Sequence, residues 1–131
     1  MDSYMDPTEE DFKAFLALPK DQPIAMLNLV RFKERAEYDD GRQVTGAEAY
    51  GLYSRESGPI FARVGGSILW KGSPELMLIG PSEEKWDMAF IARYPDAAAF
   101  LEMIGDPAYR QAVRHRQAAV ETSRLIRCRE L

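Results

Sequence analysis

Two arginines and one asparagine interrupt apolar stretches of this sequence. Arg31 stands near the end of IAMLNLVRF, Arg93 near the end of MAFIARY, and Asn28 in the middle of the first stretch. Guanidinium groups do not deprotonate, so two of them in apolar surroundings favour an anionic partner such as a carboxylate ligand. A buried amide must likewise be hydrogen-bonded, to a ligand or to protein. In the alternative interpretation, each arginine pairs with a local acid such as Glu48, Asp87 or Glu102.

Aromatic side chains could form the walls of a pocket around these polar groups. The candidates are Tyr50, Tyr53, Trp70, Trp86 and Tyr94. Tyrosine hydroxyls could orient or protonate a substrate in such a pocket. Aromatic residues at helical or strand spacing more often belong to a core or a subunit contact, so both interpretations stay open.

The single histidine, His115, is the only side chain with an unperturbed pKa near neutrality. It is therefore a candidate general base, which needs a hydrogen-bonding partner, or a haem ligand, which needs a wide apolar pocket. A structural role on or within a helix is the alternative. Arg116 follows it in a small basic cluster and is a further candidate for ligand binding.

Several kinds of site lack support in the sequence. One histidine and one cysteine, without DxD, HxxxH or CxxC spacing, argue against a metal site. GxGxxG, GxxxxGK[ST] and GxSxG are absent, which argues against nucleotide binding and a serine-hydrolase elbow. No cofactor is therefore expected.

Composition sets the class of protein. The 131 residues predict one domain over positions 1–131, and a net charge of −4 disfavours nucleic acid and anionic membranes as partners. The acidic N-terminus resembles neither a secretory signal nor a membrane span. A single cysteine, Cys128, fits a reducing compartment, so we expect a cytoplasmic protein.

The elements that position these residues can be predicted from periodicity and from helix and turn signals. Thr8 precedes a first helix, residues 24–32 form a strand, and Thr45 with Glu48 caps a helix that Pro59 should kink or break. A long interrupted strand is expected over 67–79 and a buried strand over 87–94. Helices beginning after Asp96 and Asp106 and a last strand over 123–130 complete the chain.

This order is a helix followed by βαββαβ, which predicts an α+β, ferredoxin-like fold. We expect the first and third strands to lie parallel at the centre of the sheet, with Arg31 and Arg93 close together. Since helices cover only one face and the central strands are apolar on both, a second copy should cover the other face. Two sheets packed in this way would form a dimeric α+β barrel.

A set of short motifs points to a known family. They are LNLVRFK at 27–33, GAEAY at 46–50, Gly65-Gly66, Ile79-Gly80-Pro81, Arg93-Tyr94-Pro95, Asp106-Pro107-Ala108-Tyr109 and His115-Arg116-Gln117-Ala118. From about residue 24 to 131 the sequence resembles domain of unknown function 1330 (DUF1330), within the dimeric α+β barrel superfamily. The resemblance implies the ferredoxin-like fold and a homodimer. It implies no reaction, because superfamily members perform several chemistries.

Two main hypotheses follow for function. In the first, a pocket between sheet and helices binds a small organic acid or aromatic metabolite and could transform it without a cofactor. Asn28, Arg31, Arg93 and His115 would supply polarity, and Tyr50, Tyr53 and Trp70 the walls. In the second, the protein is a non-catalytic dimeric structural or binding module. Haem binding is a third, less favoured hypothesis.

Overall fold

The computed structural model describes residues 2–131, which form four helices and four strands. The helices are α1 (Glu9–Ala17), α2 (Gly46–Arg63), α3 (Ala97–Gly105) and α4 (Pro107–Ala119). The strands are β1 (Ile24–Phe32), β2 (Ser67–Gly72), β3 (Met88–Tyr94) and β4 (Val120–Cys128). None of the helices within residues 2–131 is long and apolar enough to span a bilayer.

The four strands form one sheet in the order β2-β3-β1-β4, and all three neighbouring pairs are antiparallel. The expected α+β, ferredoxin-like fold is confirmed. The expectation that the first and third strands run parallel is wrong. After the α2 crossover, β2 runs in the same direction as β1. The connection from β2 to β3 reverses the chain, so β3 runs antiparallel to β1.

The two faces of the sheet differ in what covers them. Ile24, Met26 and Val30 of β1 point towards the helices and are almost completely buried, as is Tyr94 of β3. Their odd-numbered neighbours point to the other face, which no element within residues 2–131 covers. We call this second side the open face.

Three predicted elements differ from the structure. Residues 75–79 are not a strand, because the chain leaves the sheet after Gly72 and has no neighbour to pair with. Pro59 neither ends α2 nor divides it. The hydrogen bond that proline cannot donate would reach Arg55, and both residues are exposed to water. The last strand begins at Val120 rather than Ser123.

The N-terminal residues are fixed to the edge of the sheet. Tyr4 donates its N–H to the Thr122 hydroxyl at 3.0 Å and accepts from the Ser123 N–H at 2.7 Å. Helix α1 then crosses towards α3, where the Phe15 and Phe100 ring centres lie 5.2 Å apart. The segment over residues 2–17 therefore closes the β4 side of the space between sheet and helices.

Candidate functional site

A cavity of about 930 Å³ lies between the helix-covered face of the sheet and the helices. Its floor includes Met26, Asn28, Met88, Phe90 and Ala92. Side chains of α2, α3 and α4 form the walls, and Phe12 and Phe15 of α1 close one side. The pocket predicted between sheet and helices is therefore present, and most of its lining is apolar.

Five tyrosines line the cavity, and four of them stand on helices or strands: Tyr50, Tyr53, Tyr94 and Tyr109. The ring centres of Tyr50 and Tyr53 are 5.2 Å apart. Those of Tyr53 and Tyr109 are 6.1 Å apart in a T-shaped, edge-to-face arrangement. The Tyr53 and Tyr109 hydroxyl oxygens lie 2.7 Å apart and share a hydrogen bond. These contacts make a continuous aromatic wall with hydroxyl groups along it.

The environment keeps three of these phenols neutral. Burial is the largest cause that raises the pKa of Tyr50, Tyr94 and Tyr109 above the ordinary value of 10.0. Their hydroxyls are therefore protonated near neutral pH. The wall can donate hydrogen bonds to a ligand carbonyl or oxyanion, and its phenols are poor bases.

Asn28 stands at the centre of the cavity floor. Its Nδ2 donates to its own strand, to the Met26 carbonyl, at 3.0 Å. No protein donor within residues 2–131 reaches its Oδ1. The side chain is thus partly satisfied by protein and leaves an acceptor free at the floor of the cavity.

Arg116 reaches the cavity from α4. Its Nη1 donates to the Met5 carbonyl at 2.6 Å and its Nη2 to the Ser123 hydroxyl at 3.1 Å. One guanidinium therefore joins the helix, the edge strand and the N-terminal segment. Tyr109, Val113 and Arg116 follow one another at helical spacing and line the same wall.

Arg31 and Arg93 do not lie together, which corrects the sequence expectation. In the antiparallel pair, Arg93 stands opposite Ala25, six residues along β1 from Arg31 and therefore about 20 Å away. Arg31 Nε lies 3.4 Å from Glu121, and Arg93 Nε lies 2.7 Å from Glu130. Both arginines are on the open face, outside the cavity lining, so they do not form the predicted anion site.

The two tryptophans are also outside the cavity lining. Trp70 pairs with Ile91 in the sheet, points to the open face and is 55% exposed. Trp86 precedes β3 and is buried below the Arg124 guanidinium, which lies 5.0 Å from its ring centre. Of the five aromatic candidates, the structure brings Tyr50, Tyr53 and Tyr94 to the cavity.

His115 is buried between α2 and α4 and does not line the cavity. Its Nδ1 lies 2.6 Å from the Tyr38 hydroxyl. Its Nε2 is 2.7 Å from a Glu56 carboxylate oxygen, without the alignment of a hydrogen bond. Because the ring is enclosed by protein and only 2% of the residue is exposed, it is not placed to act as a base or haem ligand in this cavity.

Some cavity residues were missed in the sequence interpretation. Phe12 and Phe15 fall within the predicted first helix, and the sequence does not show where that helix packs. Tyr109 could have been found from its position seven residues before Arg116, which places both on one helical face.

Within residues 2–131, no group of three or more histidine, cysteine or acidic side chains could hold a metal ion.

Comparison with known proteins agrees with this fold. The model of the family described as domain of unknown function (DUF1330) matches residues 41–127. The crystal structure of RPA0582, a protein of unknown function from Rhodopseudomonas palustris, is 58% identical, with a TM-score of 0.95. The match covers 99% of this chain and 98% of that protein. Among curated proteins, none matches this chain.

More distant structures share the fold alone. A dimeric protein of unknown function with a ferredoxin-like fold from Bacteroides fragilis is 10% identical, with a TM-score of 0.53 over 86% of this chain and 100% of that one. SnoaB, a cofactor-independent oxygenase from Streptomyces nogalater, is 16% identical, with a TM-score of 0.51 over 84% of this chain and 96% of that one.

Proposed function

This chain belongs to the DUF1330 family, and we propose that it binds a small aromatic or organic-acid metabolite in the cavity between sheet and helices. The observation that carries the proposal is the cavity itself. Its volume of about 930 Å³ is in the range of small-molecule sites, and its lining combines apolar walls with a few convergent polar groups.

The tyrosine wall favours an aromatic ligand. Offset and edge-to-face contacts between rings stabilise an aromatic ligand beyond simple burial. Tyr53 already adopts such contacts with Tyr50 and with Tyr109, and all three residues line the cavity. Asn28 at the floor adds an acceptor that can fix the orientation of a ligand hydroxyl or amine.

We include cofactor-free chemistry in this proposal only as far as the side chains support it. In the Tyr53–Tyr109 pair one hydroxyl donates to the other, so one O–H proton remains for a ligand in this largely apolar space, and such a donor stabilises negative charge that develops on a carbonyl oxygen. The oxygenase from Streptomyces nogalater shares only the fold with this chain. The proposal therefore depends on the cavity and not on that similarity.

The proposal is tested by comparing ligand binding in the wild type with binding in a variant whose larger side chain fills part of the cavity. Protein purified gently from its expression host is examined by native mass spectrometry, and any small molecule released on denaturation is identified. The Val113→Phe variant enlarges a half-buried side chain of the cavity wall. We expect it to lose the bound molecule and to weaken binding of added aromatic compounds by about tenfold or more.

A matched control is the Leu52→Phe variant, which enlarges a half-buried side chain of α2 outside the cavity lining. It should bind as the wild type does. Empty protein that binds no aromatic or organic-acid compound in calorimetry would contradict the proposal. That result would favour the non-catalytic structural module.

We also propose that the open face is covered by a second copy of the chain, giving a homodimer. This face carries an apolar set that a monomer leaves partly or largely in water: Leu27, Leu29, Trp70, Ile91 and Ile126. Large exposed apolar patches mark interaction surfaces. The dimeric Bacteroides fragilis protein shows that this fold is compatible with dimer formation, and a second copy is self-complementary to the same surface.

The segment over residues 73–79 extends this apolar surface beyond the sheet. Leu76, Leu78 and Ile79 are 79%, 84% and 91% exposed, and the segment follows directly after the edge strand β2. Three large aliphatic side chains exposed on one short segment suit burial against the second copy.

A further inference from the structure

Arg116 carries a charge that the protein only partly compensates. The side chain is 15% exposed, and the nearest carboxylate oxygen, on Asp6, lies 4.0 Å from Nη1 and belongs to a side chain that is half exposed. A buried cation without a close anion costs free energy. The site is therefore electrostatically suited to an additional negative group.

Hydrogen-bond donors of Arg116 remain available for such a group. A guanidinium has five N–H bonds, and protein acceptors within residues 2–131 take two of them, at Met5 and Ser123. The three remaining N–H groups can bind a planar carboxylate, whose two oxygens match the guanidinium fork.

The position of Arg116 joins it to the aromatic wall. Its charge lowers the pKa of Tyr50 and of Tyr109 against the larger effect of burial, so both hydroxyls lie within its electrostatic reach. Ser123, which it contacts, stands opposite Val30, two residues along the floor from Asn28. An anion on Arg116 would thus have a tyrosine wall beside it and an amide acceptor on the floor.

Most of the other charged side chains that line the cavity are positive as well. Besides Arg116, its cationic side chains are Lys71, Arg110, Arg124 and Arg127, whereas its carboxylates are Asp6 and Asp11. The chain as a whole has a net charge of −4. An excess of positive charge in the cavity of an acidic protein attracts anionic ligands and repels cationic ones.

We infer that the ligand of this cavity is an aromatic monocarboxylate whose carboxylate binds Arg116 and whose ring packs among Tyr50, Tyr53 and Tyr109. Arg116 is a mostly buried guanidinium in a largely apolar cavity, which fits the single charge of a monocarboxylate. This inference rests on the proposed function and assigns its ligand class. It also replaces the pair Arg31 and Arg93, predicted from sequence, with an arginine on a helix.

The test compares 2-naphthoate with 2-naphthamide, its neutral counterpart of nearly equal shape, by calorimetry on the full chain. Wild-type protein should bind the acid about tenfold or more tighter than the amide. In the Arg116→Gln variant this preference should disappear, while the affinity for the amide changes by no more than about twofold. Glutamine removes the charge and keeps an amide donor on a shorter side chain.

The control is Arg114→Gln, which removes an exposed arginine of the same helix outside the cavity lining and should keep the preference for the acid. If the wild type binds both probes equally, the Arg116 inference is wrong and the proposed function stands. If neither probe nor any other aromatic compound binds, the proposed function fails as well. If Arg116→Gln does not fold, the Nε–H resonance of Arg116 in wild-type protein must still shift with 2-naphthoate and not with 2-naphthamide.

Discussion

At the scale of single residues, the hydroxyl pair in the cavity wall is the clearest polar contact to test. Tyr53 and Tyr109 satisfy each other's hydroxyls at 2.7 Å, so removing one hydroxyl leaves the other without its partner. Removing one hydroxyl costs more free energy than the hydrogen bond contributes on balance, because the remaining buried hydroxyl then bonds neither to protein nor to water. The energetics of the pair should therefore be non-additive.

We expect Tyr109→Phe to lower the free energy of unfolding by about 1–2 kcal/mol. The double variant with Tyr53→Phe should lower it by about 0.5–1 kcal/mol less than the sum of the single variants. Urea denaturation of all four proteins measures this coupling. Tyr94→Phe is a useful control, because its hydroxyl donates only to the Met103 sulfur at 3.8 Å and should matter less. Strict additivity would mean that the two hydroxyls do not interact in solution.

His115 shows how one residue can change its interpretation once its surroundings are known. From sequence it is a candidate for acid–base catalysis, because histidine is the residue type whose ordinary pKa lies closest to neutrality. In the fold its Nδ1 is hydrogen-bonded to the hydroxyl of Tyr38, which lies in the connection between β1 and α2. Its ring packs between α2 and α4, with Glu56 of α2 beside Nε2. Its geometry is that of a packing residue with a specific hydrogen bond.

At the scale of elements, the beginning of α2 depends on a close contact that only glycine allows. A Cβ atom on Gly46 would collide with the Lys33 carbonyl oxygen and would also meet the Ala119 carbonyl oxygen at 2.9 Å. Both neighbours are main-chain atoms and cannot move aside cheaply. The same helix contains Gly51, where a Cβ atom would meet nothing within 4 Å.

These two glycines form a matched pair. Gly46→Ala should destabilise the protein by about 1–3 kcal/mol or more, because the backbone must shift to admit the methyl group. Gly51→Ala should be neutral or stabilising by up to about 1 kcal/mol, because alanine has the better helix propensity. Thermal and urea unfolding measure both effects. Equal stability of the two variants would show that the α2 terminus is less tightly packed than described.

The beginning of α4 depends on a carboxylate. Asp106 accepts from the Ala108 N–H at 2.7 Å and from Arg63 Nη2 at 2.6 Å. The Arg63 hydrogen bond is the largest cause that holds the pKa of Asp106 below its ordinary value of 3.8. A lowered pKa in the folded state means that the ionised carboxylate stabilises the fold above that ordinary value. The contribution is lost as the pH falls through the lower folded-state pKa.

Asp106→Asn should therefore lower the melting temperature at pH 6, and the difference from wild type should shrink as the pH falls below about 4. Calorimetric scans between pH 2 and pH 6 give the comparison. Arg63→Gln should show the same pH trend, because it removes the principal cause of the lowered pKa. A difference that is constant down to pH 2 would contradict this assignment.

At the scale of the whole molecule, the open face and the segment over residues 73–79 are the proposed assembly surface. If a second copy covers them, folding and association are coupled, and the melting temperature should rise with protein concentration. Sedimentation equilibrium should give a dimer for the wild type. Leu78→Glu should weaken the dimer by at least about tenfold, because it places a charge in an apolar contact.

The control for assembly is Leu18→Glu, which changes an exposed leucine just after α1, away from the open face. It should leave the dimer intact. A wild-type protein that sediments as a monomer at all concentrations would refute the homodimer and would require another explanation for the exposed Leu76, Leu78 and Ile79.

The sequence by itself determined the class of fold and most of the element boundaries. Strand and helix periodicity, the Thr45 cap with Glu48 and the Asp106-Pro107 start are local signals, and the resulting βαββαβ order leaves few topologies. These features depend on residues that are close in sequence. They can therefore be predicted without the tertiary structure.

Only the tertiary structure decided which residues meet. Arg31 and Arg93 have equivalent places in their strands, yet antiparallel pairing puts them at opposite ends of the sheet and beside Glu121 and Glu130. Arg116 lies at the cavity because its helix, the edge strand and the N-terminal segment meet there. Such proximity depends on strand direction and on packing between distant segments, which residue types and local spacing do not specify.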